Sequence, residues 1–105
     1  MSAFRVVLIT VPQEKAEELS QKMVEGKLAA CVNIIDTVKS VYHWKGGMKK
    51  DYESLLIAKT TTKRVERLIK FIREAHSYEI PEVLALTVTE GNPDYLDWLD
   101  KETSE

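Results

Sequence analysis

The fold is most clearly indicated by residues 40–60, which read SVYHWKGGMKKDYESLLIAKT. Two strand-like runs flank Lys45-Gly46-Gly47, and glycine readily adopts the positive φ angles that a tight reversal of the chain requires. Aromatic side chains continue almost to the reversal, with Tyr42 and Trp44 before it and Tyr52 after it. The pattern predicts a long antiparallel hairpin that carries aromatic residues towards its tip.

Further strands are predicted on both sides of this hairpin. Residues 4–11 form an almost continuous apolar run that Pro12 ends, as expected of a central strand covered on both faces. Residues 28–44 are long for one strand, and Asp36-Thr37 in their middle predicts a bulge or bend that divides it. Residues 82–89 alternate in hydrophobicity and are predicted to form the fourth strand.

Helices are predicted between these strands and at the end of the chain. The first follows residue 13 and is capped by Gly26, the second runs from a cap at Thr61 or Thr62 to about His76, and a short third one has Asn92 as N-cap. The order is therefore β-α-β-β-α-β with an appended helix. It predicts an α+β protein with the ferredoxin-like split βαβ arrangement, as one domain over residues 1–105.

Composition limits the class of protein and its partners. The 105 residues are 44% hydrophobic and 30% charged, which is typical of a soluble globular domain. The net charge of −2 disfavours nucleic acid and anionic membranes as partners, and no run approaches the roughly 18 apolar residues of a transmembrane helix. Cys31 is the single cysteine and no leader pattern precedes the first strand, so we expect a cytoplasmic protein.

The predicted hairpin indicates self-association, because its outer part extends beyond the reach of two helices packed on one sheet face. Tyr42, Trp44, Met48 and Tyr52 would be left in water, and exposed aromatic strands tend to pair with another chain. If each arm contacts the next subunit head-to-tail, the contact is heterologous and the assembly must close into a ring to avoid a filament. The alternative is a monomer whose arm folds back onto the C-terminal helix, with Trp98 against Trp44.

Short motifs are dispersed in order over nearly the whole chain: LAACVNI at 28–34, SVYHWKG at 40–46, DYE at 51–53, KT at 59–60, HSYEIPE at 76–82 and YLDW at 95–98. Together they resemble the CutA family of divalent-cation tolerance proteins. The resemblance implies a ferredoxin-like fold, a homotrimer that shares strands between neighbours, binding of divalent metals such as copper, a response to metal ions, and no catalytic activity.

Two departures from the family pattern bear on metal binding. The family usually has His-Pro-Tyr where this chain has His76-Ser77-Tyr78, which predicts a less rigid turn. Copper binding in bacterial members is tied to a first-strand cysteine and a histidine pair, and Ile9 and Ala75-His76 stand in those places. The remaining candidate ligands are His76 and, weakly, Glu79. Alternatively, His76 interacts with the C-terminal carbonyls of its helix and Glu79 with nearby backbone.

A second candidate site is a cleft between subunits. Lys59 faces the same cleft as Glu53, Tyr78 and Glu79 if strands are shared, and a buried ammonium group requires an anionic partner. That partner is either an intersubunit carboxylate or a small charged ligand, and the sequence leaves both open. The predicted cleft residues are Tyr42, Trp44, Glu53, Lys59, Tyr78 and Glu82.

Other functions lack their signatures. There is no nucleophile with a base and an orienting group and no glycine-rich phosphate loop, so we expect no enzyme and no required cofactor. Residues 54–59 lack the aromatics of an RNA-recognition strand, and residues 10–13, TVPQ, cannot form a Cys-x-x-Cys copper loop. Two classes remain: a metal-responsive protein that weakly binds copper or another divalent cation, and a trimeric regulatory or structural protein that binds a small charged ligand or a partner protein.

Overall fold

A computed structural model of the chain describes residues 3–104 as a four-stranded antiparallel sheet with three α-helices. The elements are β1 (Phe4–Val11), a 3-10 turn (Gln13–Lys15), α1 (Ala16–Glu25), β2 (Cys31–Trp44), β3 (Gly47–Thr61), α2 (Thr62–Ala75), β4 (Val83–Thr87) and α3 (Pro93–Glu102). The strand order β2-β3-β1-β4 confirms the predicted ferredoxin-like α+β fold. Met1, Ser2 and Glu105, which the predicted domain includes, lie outside the described residues.

The first strand is central, as predicted, because it pairs with both β3 and β4. Val7, Ile9 and Val11 are fully buried in one cluster with side chains of α1 and α2. The alternate residues Val6 and Leu8 point to the other face and remain partly exposed. The prediction that both faces are covered is therefore wrong for the described chain, because α1 and α2 both pack against the face that carries Val7, Ile9 and Val11, while α3 contacts β3.

The predicted hairpin is present and extended. Its ladder runs from the Cys31–Lys59 pair to the Trp44–Gly47 pair, and the turn consists of Lys45 and Gly46, with φ angles of 49° and 79°. Two successive positive φ angles define a type I′ turn, whose twist matches that of antiparallel strands. The described chain measures 45 × 25 × 22 Å, and the straight arm contributes to its length.

The arm does not fold back onto the C-terminal helix. The ring of Trp98 packs against Tyr95 of its own helix, with ring centroids 5.5 Å apart, whereas Trp44 lies at the end of the ladder beside the turn. The packing of Trp98 against Trp44, which the monomeric alternative proposed, is therefore not formed in the described chain. The reason is that the strand pairing remains regular out to the tip and holds the arm straight.

A bulge interrupts the ladder at Asp36 and Thr37, as predicted, where these two residues lie opposite Ser54. The Ser54 hydroxyl donates to the Asp36 carbonyl at 2.7 Å. Gln13 Nε2 donates to the same carbonyl at 3.1 Å and to Thr37 Oγ1 at 2.8 Å. The polar groups released from the ladder are thus satisfied by side chains, so the bulge is a fixed feature of the sheet.

Two predicted boundaries need correction. The second strand begins at Cys31 instead of residue 28, because the N–H of Leu28 bonds to Met23 O at 2.9 Å and closes α1 in a Schellman motif. The left-handed residue of this motif is Lys27, with φ 60°, while the predicted cap Gly26 has φ −82°. The fourth strand is shorter than predicted, Val83–Thr87 instead of residues 82–89.

We expect Ile72→Ala to lower the free energy of unfolding by about 2–5 kcal/mol, because Ile72 is fully buried in the core between α2 and the sheet and alanine leaves a cavity. The matched control is Ile80→Ala, since Ile80 is 71% exposed and its truncation is expected to change stability by no more than about 0.5 kcal/mol. Urea unfolding at one fixed protein concentration measures both. Equal losses in the two variants would contradict the assignment of the core.

Candidate functional site

A cavity of about 640 Å³ lies between the hairpin arm, from Glu53 out to Trp44, and the segment that joins α2 to β4. This volume is in the range of small-molecule sites, roughly 300–1,000 Å³. Six of the eight predicted site residues line it: Tyr42, Trp44, Glu53, Tyr78, Glu79 and Glu82. The structure therefore brings together residues that are up to 40 positions apart in the sequence, while their role between subunits stays a prediction.

Strand register brings the hairpin residues onto one side of the cavity. Beyond the bulge Val38 pairs with Glu53 and Tyr42 with Lys49, so even-numbered residues of β2 share a sheet face with odd-numbered residues of β3. Tyr42, Trp44 and Glu53 consequently face the same side. Without the two-to-one bulge the register would place the aromatic side chains of β2 on the opposite face from Glu53.

Glu53 is a buried carboxylate at the cavity wall, only 5% exposed. Its Oε2 accepts a hydrogen bond from the Tyr78 hydroxyl at 3.0 Å. Within residues 3–104 no lysine, arginine or histidine forms an ion pair with it, and Oε1 accepts no hydrogen bond. A carboxylate has about four acceptor positions, and a buried one is costly unless they are used. Glu53 therefore offers unused acceptor capacity to the cavity.

His76 is the C-cap of α2, and both of its ring nitrogens make hydrogen bonds. Nδ1 accepts from the backbone N–H of Tyr78 at 3.0 Å, which assigns the ring proton to Nε2, and Nε2 donates to Thr10 O at 2.6 Å. His76 ends α2 as the alternative states, and its backbone N–H donates to Ile72 O at 2.9 Å, but the carbonyl that its ring contacts belongs to β1. The neutral ring retains no free lone pair for a metal ion.

The residues present do not fit a metal centre within one chain. No group of three or more histidine, cysteine, aspartate or glutamate side chains could hold a metal ion in the part of the chain that the structure describes. Glu79, the second predicted ligand, is exposed and lies 3.9 Å from Lys45 Nζ in an ion pair instead of bonding to backbone. A divalent cation needs several placed donors, and here one imidazole is already committed.

Lys59 lies apart from the cavity. Its ammonium group hydrogen-bonds to Asn33 Oδ1, and in the ladder it pairs with Cys31. It shares a sheet face with Glu53 but is six residues away along β3, which corresponds to about 20 Å. The cleft that was expected to contain both residues does not form within a single chain, and its formation between chains stays a prediction.

Sequence analysis missed several residues of the site. Asp51 accepts a hydrogen bond from the Tyr42 hydroxyl. Ser40 lies on the same strand face as Tyr42, so period-two alternation contained the signal for it. The remaining cavity residues come together only through the packing of the strands and the α2–β4 segment, which a local sequence pattern does not predict. The cavity-lining residues not predicted are Thr10, Ser40, Val41 and Ile80.

Hydrogen bonds to neighbouring carboxylates help to raise the pKa of both tyrosine hydroxyls of the site. Burial, followed by the hydrogen bond to Glu53, raises the pKa of the Tyr78 hydroxyl well above its ordinary value. The hydrogen bond to Asp51 is the main cause that raises the pKa of Tyr42. Both phenols therefore stay protonated and act as donors at neutral pH.

The fold and the cavity define a class: small α+β proteins with a ferredoxin-like sheet, an extended hairpin arm and an acidic, aromatic cavity beside that arm. The sequence profile described as "CutA1 divalent ion tolerance protein" matches residues 5–102. The chain belongs to this family, as the dispersed motifs indicated.

Individual relatives agree with this assignment. The Divalent-cation tolerance protein CutA of Thermus thermophilus is 46% identical over 93% of this chain and 96% of the relative. Its solved structure superimposes with a TM-score of 0.93 at 45% identity, covering 96% of this chain and 99% of that one. The structure of CutA1 from Oryza sativa gives a TM-score of 0.95 at 41% identity, with 99% of this chain and 96% of that one covered.

Relatives differ in length and in the location that their names state. The chain spans 54% of the mouse Protein CutA, at 46% identity over 90% of this chain. A plant relative from Arabidopsis thaliana is named chloroplastic, and the solved relative from Archaeoglobus fulgidus is described as periplasmic. In this chain, no helix within residues 3–104 has the length and apolar character needed to cross a bilayer.

We expect the stabilising effect of the Tyr78–Glu53 hydrogen bond to disappear in alkali. The folded state raises the pKa of Tyr78, so its contribution is present below the unfolded tyrosine value of about 10 and is lost as pH rises above that value. The urea midpoint of wild type should exceed that of Tyr78→Phe at about pH 8, and the difference should narrow at about pH 11. A difference that stays the same at both pH values would contradict this assignment.

Proposed function

We propose that this chain is a non-catalytic, homotrimeric member of the divalent-cation tolerance family that responds to its ligand through the cavity beside the hairpin arm. The observation that carries the proposal is the convergence of six separately predicted residues on one cavity. These residues fit ligand binding better than catalysis, because within residues 3–104 neither a nucleophile with its base nor a phosphate-binding loop accompanies them.

The proposed assembly is supported by the sheet face that the helices leave open. The two edge strands are β2 and β4, and both have free hydrogen-bonding groups on their outer sides. Leu84 and Leu86 of β4 are 55% and 48% exposed on the face opposite the helices, next to the half-buried Leu8. A contact between unlike edges of successive chains is heterologous and must close into a ring to avoid an open filament. The family resemblance favours three chains.

Divalent-metal binding at His76 and Glu79 is a second, weaker candidate. It is favoured by the family description, which names divalent ions, and by the position of Glu79 on the cavity. A metal at His76 would displace one of the two ring hydrogen bonds and would need donors from a neighbouring chain. We therefore propose that copper or another divalent cation binds weakly and that no cofactor is required for folding.

The proposed location is the cytoplasm, with neither nucleic acid nor membrane as partner. The half-buried Cys31 is the single cysteine, and a free thiol is typical of a reducing compartment. The net charge of −2 disfavours polyanionic partners. A small charged ligand, or a partner protein that contacts the same cavity, remains as the alternative to metal.

We expect the native mass from sedimentation equilibrium to be three times the 12.0 kDa chain mass, with and without added copper, in wild type and in His76→Ala. Leu84→Glu should reduce the mass, because it places a charge on the apolar face that the next chain would cover. The matched control is Lys63→Glu, a charge change at an exposed position of α2.

A wild-type mass of one chain would overturn the proposed assembly. A protein that assembles only with copper, and fails to do so when His76 is replaced, would make the metal the centre of the function. A trimer that survives Leu84→Glu would refute the proposed interface while leaving the number of chains intact.

A further inference from the structure

We infer that the cavity binds an organic ammonium ion, a primary amine or a quaternary ammonium group, with its charge against Glu53 and its carbon atoms against the surrounding aromatic rings. This inference rests on the proposed function and specifies the chemistry of its ligand. It goes beyond divalent ions, which the family description names.

The charge on the cavity wall favours a cation. Glu53, Glu79 and Glu82 line the cavity, and no lysine or arginine lines it among residues 3–104. Asp51, hydrogen-bonded to Tyr42, lies on the same sheet face as Glu53. Glu53 is the most buried of the three glutamates, at 5% exposed, so water screens its charge least.

Glu53 also has an acceptor that no described side chain uses. Tyr78 donates to Oε2 at 3.0 Å, whereas Oε1 accepts no hydrogen bond from the described residues, and Glu53 lines the cavity. The residue is 5% exposed and has no cationic partner among the described residues, so an ammonium group of a ligand would give this carboxylate a charge-assisted hydrogen bond. The buried, half-bonded carboxylate is independent evidence beyond the acidic residues at the rim.

Aromatic rings favour an organic cation over a metal ion. Tyr42, Trp44 and Tyr78 line the same cavity as Glu53, and the electron-rich faces of aromatic rings attract ammonium groups. A hydrated divalent metal ion gains little from such walls, and a metal centre requires a donor set that the described residues do not form. A volume of about 640 Å³ leaves room for a ligand with several carbon atoms.

The chain's own lysine shows this type of contact at the mouth of the cavity. Lys45 Nζ lies 5.9 Å from the centroid of the Trp44 ring and 3.9 Å from Glu79 Oε2. An alkylammonium group is thus held between an aromatic ring and a carboxylate at the rim. In the deeper wall, Glu53 and Tyr78 again place a carboxylate beside an aromatic ring. No side chain of the described residues supplies a cation there.

The test is an NMR titration of the full chain in buffer with EDTA, followed at the indole N–H signals of the two tryptophans, which Trp98→Phe assigns. The probes are choline, its uncharged isostere 3,3-dimethylbutan-1-ol, n-butylammonium and, in EDTA-free buffer, magnesium chloride. We expect choline or n-butylammonium to shift the Trp44 signal saturably and to leave Trp98 unchanged. The isostere should bind at least tenfold more weakly.

Variants test separately whether ammonium binding depends on the charge of Glu53 and on the aromatic ring of Trp44. Glu53→Gln retains an acceptor for Tyr78 but removes the charge, and it should weaken the binding of the ammonium probe at least tenfold. Glu66→Gln, the same change at an exposed position of α2, should leave binding unchanged. Trp44→Leu, monitored by calorimetry, tests the aromatic wall at a position in the arm where folding does not depend on the ring.

Absence of a Trp44 shift with both ammonium probes would overturn the inference, and so would equal binding of the uncharged isostere or tighter binding of magnesium. An unchanged affinity in both Glu53→Gln and Trp44→Leu would also overturn it. Sedimentation of the same samples distinguishes the two proposals. If the protein is a trimer but does not bind the ammonium probes, the proposed ligand is wrong and the proposed assembly stands. If the measured mass is that of one chain, the proposed assembly is wrong whatever the titration shows.

Discussion

The register of the β2–β3 ladder is the constraint on which the other features of the molecule depend. The Lys45-Gly46 turn fixes it at one end, and the bulge at Asp36 and Thr37 resets it before the ladder meets the core. Because side chains alternate between faces, this single shift lets Leu56 and Ala58 enter the core while Glu53 and Trp44 border the cavity. A displacement by one residue would exchange the two faces of the arm.

The sequence predicts the elements well where one local property dominates. Residues 4–11 contain β-branched apolar residues up to Pro12, and the strand has those bounds. Asn92 and Pro93 specify a helix start by local hydrogen bonding and fixed φ, and Asn92 Oδ1 accepts from Asp94 N at 3.1 Å. The boundary at Cys31 was missed because a Schellman motif with a non-glycine residue in the left-handed position has no clear compositional signal.

The site is only partly predictable for a different reason. Its chemistry-bearing residues could be selected from the motifs, but their contacts join segments far apart in the chain. The Tyr78–Glu53 hydrogen bond spans 25 residues, and the contact of His76 with Thr10 spans 66. Both depend on the path of the α2–β4 segment across the sheet, which follows from packing. Both ring nitrogens of His76 already make hydrogen bonds. This argues against a metal centre at His76, although the family description names divalent ions.

The strand order has a consequence for the making of the protein. The central strand β1 precedes both of its ladder partners in the chain, β3, from Gly47, and β4, up to Thr87. Arg5 pairs with Thr87, so native hydrogen bonds on that side form only after residue 87 has been synthesised. During translation this largely apolar strand therefore waits longest without its partners.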